Sequence, residues 1–384
     1  MPQPTAPGPR LAALTVTLAA SLALGACGAT KTATGTGTVA GASAGGGGPS
    51  AGGQATAART DPDMARVIKS LADLGSQPVE LLSTEKARSQ PSFADAYRRV
   101  LQEQGATMPG AAIRTTNLTV PGPGGAIPAR LYTPPGAPRS GAPLIVYWHG
   151  GGWVIADLDT YDATPRALAA RTGAAVLSLH YRQGPENRFP AAYDDALAGY
   201  RWAVSQARRL GADPARIAVA GESAGGSLAL ATAVAARDAG LPQPVHMALV
   251  YPVATTDTNT PSKQENASAV PLSSAGVQWF VTRFTNGSSD LADPRLDPVR
   301  RGALQGLPSA TIVNAEVDPL RSEGEALAGK LRKAGVPVEQ RTYPGVTHEF
   351  FGMAPVVADA VAAQTLMADR LREALGRPAR VASR

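Results

Sequence analysis

Ile217-Ala-Val-Ala220-Gly221-Glu222-Ser223-Ala224-Gly225-Gly226 is the stretch that decides the fold. An apolar run ends at a glycine, a serine stands midway between two glycines, and helix-forming residues follow from Ala224 to Ala239. This is the pattern of a strand that turns into a helix within three residues. In so tight a turn, side chains two positions either side of the serine would collide, hence glycine at both. The turn lifts the serine hydroxyl above the edge of a sheet and aims a helix N-terminus at any negative charge that develops beside it. The pattern alone is weak, because Gly-x-Ser-x-Gly recurs around Ser43 and Ser50. Neither copy has a strand before it or a helix after it. Ser43 and Ser50 are linker serines, and Ser223 is the candidate nucleophile.

Outward from this turn, strands and helices alternate. Apolar strand runs stand at Leu144–Trp148, Ala174–Leu179, Ile217–Ala220, His246–Tyr251, Ala310–Asn314 and Val338–Tyr343. Helical stretches separate them at Thr160–Arg171, Ala191–Leu210, Ala224–Ala239, Glu323–Ala334 and Pro355–Leu375. Continuous apolar runs fit parallel strands covered on both faces, and the alternation predicts a doubly wound α/β sheet over one core. Two earlier strands are expected around Ile113–Val120 and Ala126–Tyr132. Before them, Met64, Val67, Ile68, Leu71 and Leu74, then Phe93, Tyr97, Val100 and Leu101, fall at helical spacing. A polar segment at about 254–290 interrupts the alternation as an insertion.

A serine hydroxyl needs a base to take its proton. His348, in the loop between the last strand and the last helix, is the candidate, since that loop lies at the carboxyl edge of the sheet with Ser223. His180, at a strand end, reads as a packed or hydrogen-bonded residue, and His246 begins a strand without a partner signal. Asp318, just beyond Ala310–Asn314, is the candidate acid that orients the base, with Glu316 as the competing carboxylate; the proline after Asp318 marks a turn there. His149-Gly150-Gly151-Gly152-Trp153 follows the strand Leu144–Trp148. Three glycines in a row leave backbone N–H groups open to a substrate oxygen, with a merely structural turn as the alternative, and His149 reads as a brace for that loop.

The chain has 384 residues, one cysteine, four histidines and a net charge of +6. One cysteine excludes an internal disulfide framework and zinc sites of the Cys₂His₂ or Cys₄ kind. The mild positive charge forms no Lys/Arg cluster interleaved with aromatics, so no nucleic-acid partner is expected. Residues 1–26 read as an export signal: Arg10 precedes the largely apolar run Leu11–Ala26, too short to span a bilayer comfortably. Its end, Leu24-Gly25-Ala26-Cys27, resembles the lipobox of bacterial lipoproteins. That resemblance implies cleavage before Cys27, a lipid on Cys27, and an exported protein held to a bacterial cell membrane on its periplasmic or extracellular face. Gly, Ala, Thr and Ser fill 27 of the 32 positions from 28 to 59, so residues 27–60 read as a flexible tether.

From about residue 110 to 375 the chain resembles the hormonesensitive-lipase-like carboxylesterases of the α/β-hydrolase superfamily. The resemblance rests on His149-Gly-Gly-Gly-Trp153, Asp157-Leu-Asp159, Tyr181-Arg182 through Pro185-Glu186, Phe189-Pro-Ala-Ala192, Gly221-Glu-Ser-Ala-Gly-Gly226, Asp318-Pro-Leu320, Glu323-Gly324 and Gly345-Val-Thr-His-Glu-Phe-Phe-Gly352. It implies a mostly parallel eight-stranded sheet flanked by helices over 113–384. It also implies a helical cap built from residues 61–112 and the insertion at about 254–290. The order Ser223, Asp318, His348 is that of the family's triad. The resemblance assigns the oxyanion donors to Gly151, Gly152 and Ala224, with no cofactor or metal. It implies a serine esterase acting on small short-acyl esters through an acyl-enzyme. An amidase, a lactonase or a polysaccharide deacetylase would use the same residues; a non-catalytic binding lipoprotein is the rival of another class. Three positions depart from the family pattern: Glu222 where Asp is commoner, Gln183-Gly184 inside the Tyr-Arg segment, and Ser322 where an acidic residue is common.

Overall fold

The computed structural model describes residues 51–376. Helices α1 (Ala51–Ala57), α2 (Pro62–Asp73), α3 (Thr84–Ser89) and α4 (Phe93–Glu103) precede a hairpin of β1 (Arg114–Gly122) and β2 (Gly125–Thr133). Then β3 (Ala142–Trp148), α5 (Ala163–Thr172), β4 (Ala175–Leu179), α6 (Ala191–Gln206), β5 (Ala212–Glu222), α7 (Ala224–Asp238) and β6 (His246–Val250) alternate. The crossover out of β6 carries α8 (Pro261–Glu265), α9 (Ser274–Phe284) and α10 (Pro298–Arg301). It leads to β7 (Ser309–Val317), α11 (Arg321–Lys333), β8 (Val338–Thr347) and α12 (Ala358–Leu375).

The strands form one eight-stranded sheet in the order β1-β2-β4-β3-β5-β6-β7-β8. From β4 to β8 all neighbours are parallel, while β1 and β2 are antiparallel additions at one edge. Successive residues of the central strands face opposite cores. Leu144, Val146 and Trp148 of β3 and Ile217 and Val219 of β5 pack with α6, α7 and α11. Ile145 and Tyr147, with Ala218 and Ala220, pack with α5, α12, α2 and α4. Two covered faces are why these strands read as unbroken apolar runs. β1 has one face in solvent, as its mostly exposed residues show.

The N-terminal helices are held by local chemistry and by the body beneath. In α4 the Ser92 hydroxyl accepts from Asp95 N–H while the Asp95 carboxylate accepts from Ser92 N–H, a complete capping box. Tyr97 Oη then donates to the Ala354 carbonyl at 2.6 Å. Residues 1–26, with Cys27 and most of the expected tether, lie outside the described residues. The tether's last part differs from expectation: Ala51–Ala57 is helical. Within it, Thr56 Oγ1 accepts from Val270 N–H at 3.2 Å, and just beyond it Arg59 pairs with Glu265 at 2.9 Å. Composition alone missed these long-range partners. Two helices also start later than their apolar pattern does. The Asp157 carboxylate caps a turn through Asp159 and Thr160 ahead of α5, and a 3-10 turn at Phe350–Met353 precedes α12.

The crossover is pinned by a buried ion pair. Lys263 Nζ lies 3.0 Å from Glu323 Oε1, and both side chains are almost fully buried. Glu323 Oε2 also accepts from Ala254 and Thr255 N–H at 2.6 and 2.9 Å, and Lys263 donates to the Asp257 carbonyl. Lys263→Met strips the cation and leaves the carboxylate buried. Its expected cost is about 3 kcal/mol, seen as a lower urea midpoint with an unchanged slope, and Lys263→Met/Glu323→Gln should recover part of that loss. A Lys263→Met midpoint equal to wild type would show that the pair contributes nothing.

Candidate active site

The loops after β3, β5, β7 and β8 open on the carboxyl edge of the sheet, and each brings one part of the site. Ser223 follows β5 as the residue before α7, with φ +55° and ψ −121°. The flanking glycines are required by close approach. A Cβ on Gly221 would lie 2.1 Å from the Gly225 carbonyl oxygen, and one on Gly225 would lie 2.0 Å from that of Trp148. The collision inferred from sequence therefore falls on the backbone of the same turn and of β3.

Ser223 Oγ lies 3.0 Å from His348 Nε2, and His348 Nδ1 lies 2.7 Å from Asp318 Oδ2. All three side chains are buried, with Asp318 at 0% exposure. Asp318 Oδ1 further accepts from Leu320 N–H at 2.8 Å, which fixes the carboxylate plane. Burial opposes a charge on His348, but the Asp318 carboxylate more than offsets it, so the imidazole is held above its ordinary pKa. Glu316 faces elsewhere: its Oε2 accepts from Gly345 N–H at 2.9 Å, at the root of the histidine loop. Of the two competing carboxylates, the structure brings Asp318 to the histidine.

The glycine loop faces the serine. Gly151 and Gly152 have φ of +90° and +57°, and among the described residues nothing accepts from their N–H groups. Ala224 is the first residue of α7, where a backbone N–H has no partner within the helix. Bracing comes from below. Tyr181 Oη donates to the carbonyls of His149 and Gly150, and the imidazole of His149 stacks on the Tyr181 ring at 4.6 Å. His149 Nδ1–H donates to the Gly150 carbonyl, leaving Nε2 to accept from His180 Nδ1–H at 3.0 Å. Burial first, then the neighbouring His180, pushes the His149 pKa down to about 3. A ring held neutral in this way is a brace. His246 is buried between Ser309 and Thr311, far down the strand.

The departures from the family pattern find partners. Gln183 Nε2 donates to the carbonyls of Ile155 and Ala156, holding the far end of the glycine loop. The backbone N–H of Ser262 donates to the Ser322 hydroxyl and that of Ser322 to the Ser262 hydroxyl, joining α11 to α8. Glu222 is buried and accepts from Tyr147 Oη at 2.6 Å and from Tyr251 Oη. Residues that periodicity passed over also build the site. Phe280 of α9 covers Gly152, where a Cβ would meet its ring at 2.3 Å, and Phe284 stacks on Trp153 at 4.7 Å.

Above Ser223 and His348 opens a cavity of about 890 Å³. Its walls come from both expected cap segments: Leu71, Val79 and Phe93 on one side, Leu272, Val277 and Phe280 on the other. Its size falls within the usual range for small-molecule sites. Among the described residues, no group of three or more His, Cys, Asp or Glu side chains is placed to hold a metal ion.

A family model described as the alpha/beta hydrolase fold matches residues 145–352. The carboxylic ester hydrolase LipN of Mycobacterium tuberculosis is 40% identical over 290 residues, covering 73% of this chain and 76% of that protein. Ethyl acetate hydrolase of Pseudomonas putida is 37% identical, covering 73% of this chain and 91% of its own length. The solved structure of the Pyrobaculum calidifontis esterase superposes with a TM-score of 0.70 at 34% identity, over 76% of this chain and 94% of that one.

The elbow geometry carries its own test. Gly225→Ala forces a methyl group against the Trp148 and His149 carbonyls, backbone against backbone, where no rotamer can relieve it. The expected loss is about 3 kcal/mol in urea unfolding. Gly329→Ala, in α11 with nothing within 4 Å of the added Cβ, should be neutral or stabilising. Equal stability of the two variants would refute the tight contact.

Proposed function

The chain belongs to the α/β-hydrolase family, in its hormone-sensitive-lipase-like carboxylesterase branch, and from that membership we propose that it hydrolyses short-acyl carboxylic esters of small molecules through an acyl-enzyme. The observation that carries this reading is the continuous hydrogen-bonded chain Ser223–His348–Asp318 beneath an open cavity. Ser223 Oγ attacks the ester carbonyl carbon while His348 Nε2 takes its proton. Asp318 holds the ring in the tautomer with Nδ1–H and stabilises the imidazolium that forms. The carbonyl oxygen becomes an oxyanion facing the N–H groups of Gly151, Gly152 and Ala224; losing one such donor typically costs about 3 kcal/mol of transition-state stabilisation. His348 returns the proton to the leaving alcohol. Water, activated by the same imidazole, then releases the acid.

The N-terminal reading is proposed alongside. The run ending in Leu24-Gly25-Ala26-Cys27 supports an exported protein carrying lipid on Cys27, with the enzyme held at a bacterial membrane surface. Among the described residues, no helix is long and apolar enough to cross a membrane.

Chromogenic esters with acyl chains from two to sixteen carbons test the activity. Wild type should prefer the short chains, and Ser223→Ala should lose at least about 10³-fold in kcat/KM, since the nucleophile is gone. Activity retained by the alanine variant would remove Ser223 from its role, and inertness toward every ester would remove the esterase reading. The acid limb of the wild-type pH profile should report His348, with activity lost as pH falls through a pKa above the ordinary imidazole value. For the anchor, metabolic labelling with radioactive palmitate should mark wild type and leave Cys27→Ala unmarked. Equal labelling of both, or of neither, would rule the lipid out.

A further inference from the structure

Behind the triad lies a cluster that the mechanism above does not use. Glu222, next to the nucleophile, is 1% exposed, yet it is a carboxylate in an otherwise apolar layer. Tyr147 Oη and Tyr251 Oη each donate to one of its oxygens. Glu349, next to the base, sits in a left-handed backbone conformation at φ +75°, which turns its side chain into the cavity wall, where Tyr161 Oη donates to it. Tyr161 Oη also packs on Gly150, and the Tyr251 ring lies 4.4 Å from the His348 ring. Two glutamates and three tyrosines thus form one hydrogen-bonded cluster that meets His348 through the Tyr251 ring.

We propose that Glu222 and Glu349 act as a coupled acidic pair that holds one negative charge between them and, with Asp318, supports the His348 imidazolium as positioning residues of the esterase reaction. A buried carboxylate, Glu222, and a half-buried one, Glu349, in electrostatic reach of each other resist ionising together, so they share one proton and keep one charge. Burial, and then the charge of Glu349, pushes the Glu222 pKa up to about 7, against the pull of the Thr164, Tyr147 and Tyr251 hydroxyls. Burial raises Glu349 likewise. The charged groups acting on His348 are Asp318 from the loop after β7, Glu349 from its own loop and Glu222 from the end of β5; each favours the imidazolium. Tyr251, after β6, contributes its ring and donates a hydrogen bond from its hydroxyl to Glu222. In the transition state, where Ser223 has given its proton to His348, this charge is worth most, because His348 and Glu222 are buried and the interaction is little screened.

The inference rests on the esterase reading, but its test does not need turnover. ¹³C-histidine-labelled full-length protein gives the His348 titration by NMR, assigned by the signal missing in His348→Gln. In Glu222→Gln or Glu349→Gln alone, the remaining carboxylate ionises and keeps the charge, so the His348 pKa should move by less than about 0.3 unit. In Glu222→Gln/Glu349→Gln the charge is gone, and the pKa should fall by about one unit. The acid limb of kcat/KM should move down with it, while the alkaline plateau of kcat drops about tenfold and KM holds within about twofold. Should the double variant not fold, Glu222→Ala/Glu349→Ala removes the same two carboxylates with smaller side chains in their place. A wild-type His348 titration in whichever double variant folds would overturn the proposal. So would the full shift in one single variant, which would assign the charge to one carboxylate. If wild type hydrolyses no ester, the esterase reading falls, and the NMR titration still decides the acidic pair.

Discussion

Backbone meets backbone where Gly225 lies on the end of β3, close enough that a Cβ would come within 2.0 Å of the Trp148 carbonyl oxygen and 2.5 Å of that of His149. The rest of the site depends on this contact. The register of the sheet already sets β3 beside β5, with Trp148 opposite Gly221, so the serine turn and the glycine loop leave neighbouring strands at one level. Seating Gly225 on those carbonyls then fixes how far the turn can rise, and so the position of Ser223 relative to Gly151 and Gly152. The price is a serine held at φ +55°, a strain of about 1–3 kcal/mol for a non-glycine residue. Burial of Leu228, Ala229, Leu230 and Ala233 along α7 offsets it by holding the helix that follows.

The base is brought to this unit from the far side. β8 is the edge strand, three places from β5, so the loop carrying His348 must lean back across the ends of β7 and β6. Gly345 makes that lean possible with φ +62°, and neighbours on both sides hold it there. Its N–H donates to Glu316 of β7, and its carbonyl accepts from Asp61 N–H at 2.8 Å, just ahead of α2. The Asp61 carboxylate occupies the space where a Gly345 side chain would go. Residues near 61 are therefore part of what positions the base, besides leading into the wall of the cavity.

Features set by one local rule were legible in the sequence. The strand runs and the turn at Ser223 each follow from a short stretch read against one period or one steric limit, and Asp318 and His348 stand in loops that those runs define. Each of the eight strands overlaps one of the stretches expected from the sequence. What escaped was structure made by partners distant in the chain. Ala51–Ala57 has the composition of a tether, yet its Thr56 and the Arg59 that follows are tied down by Val270, Glu265 and Asn266, over two hundred residues away. α3 and the 3-10 turn at Val79–Leu81 are too short to show a period. Glu222 read as a minor departure beside the serine, because nothing local signals Tyr147 and Tyr251 as its donors; those tyrosines come from other strand ends and meet it through sheet order. Glu349 was one residue past the candidate base, hidden in the same motif.

The cap shows why these long-range partners matter to chemistry as well as stability. α9 walls the cavity with Val277 and Phe280, and its Phe280 and Phe284 rest on Gly152 and Trp153 of the glycine loop. On its other side Trp279 Nε1 donates to the Leu82 carbonyl at 3.0 Å, and Arg283 stacks over the Trp279 ring at 3.8 Å. One helix thus links the segment around Leu82 to the glycine loop beside Ser223. The surfaces that would hold an acyl chain and the groups that would hold its oxyanion therefore share a support. Catalysis requires binding that strengthens toward the transition state, and misplacing a donor by an ångström can forfeit much of that gain. Phe280 is the point where the two meet, since it lines the cavity and rests on Gly152 at once, so a change at Phe280 reaches both the cavity wall and the glycine loop.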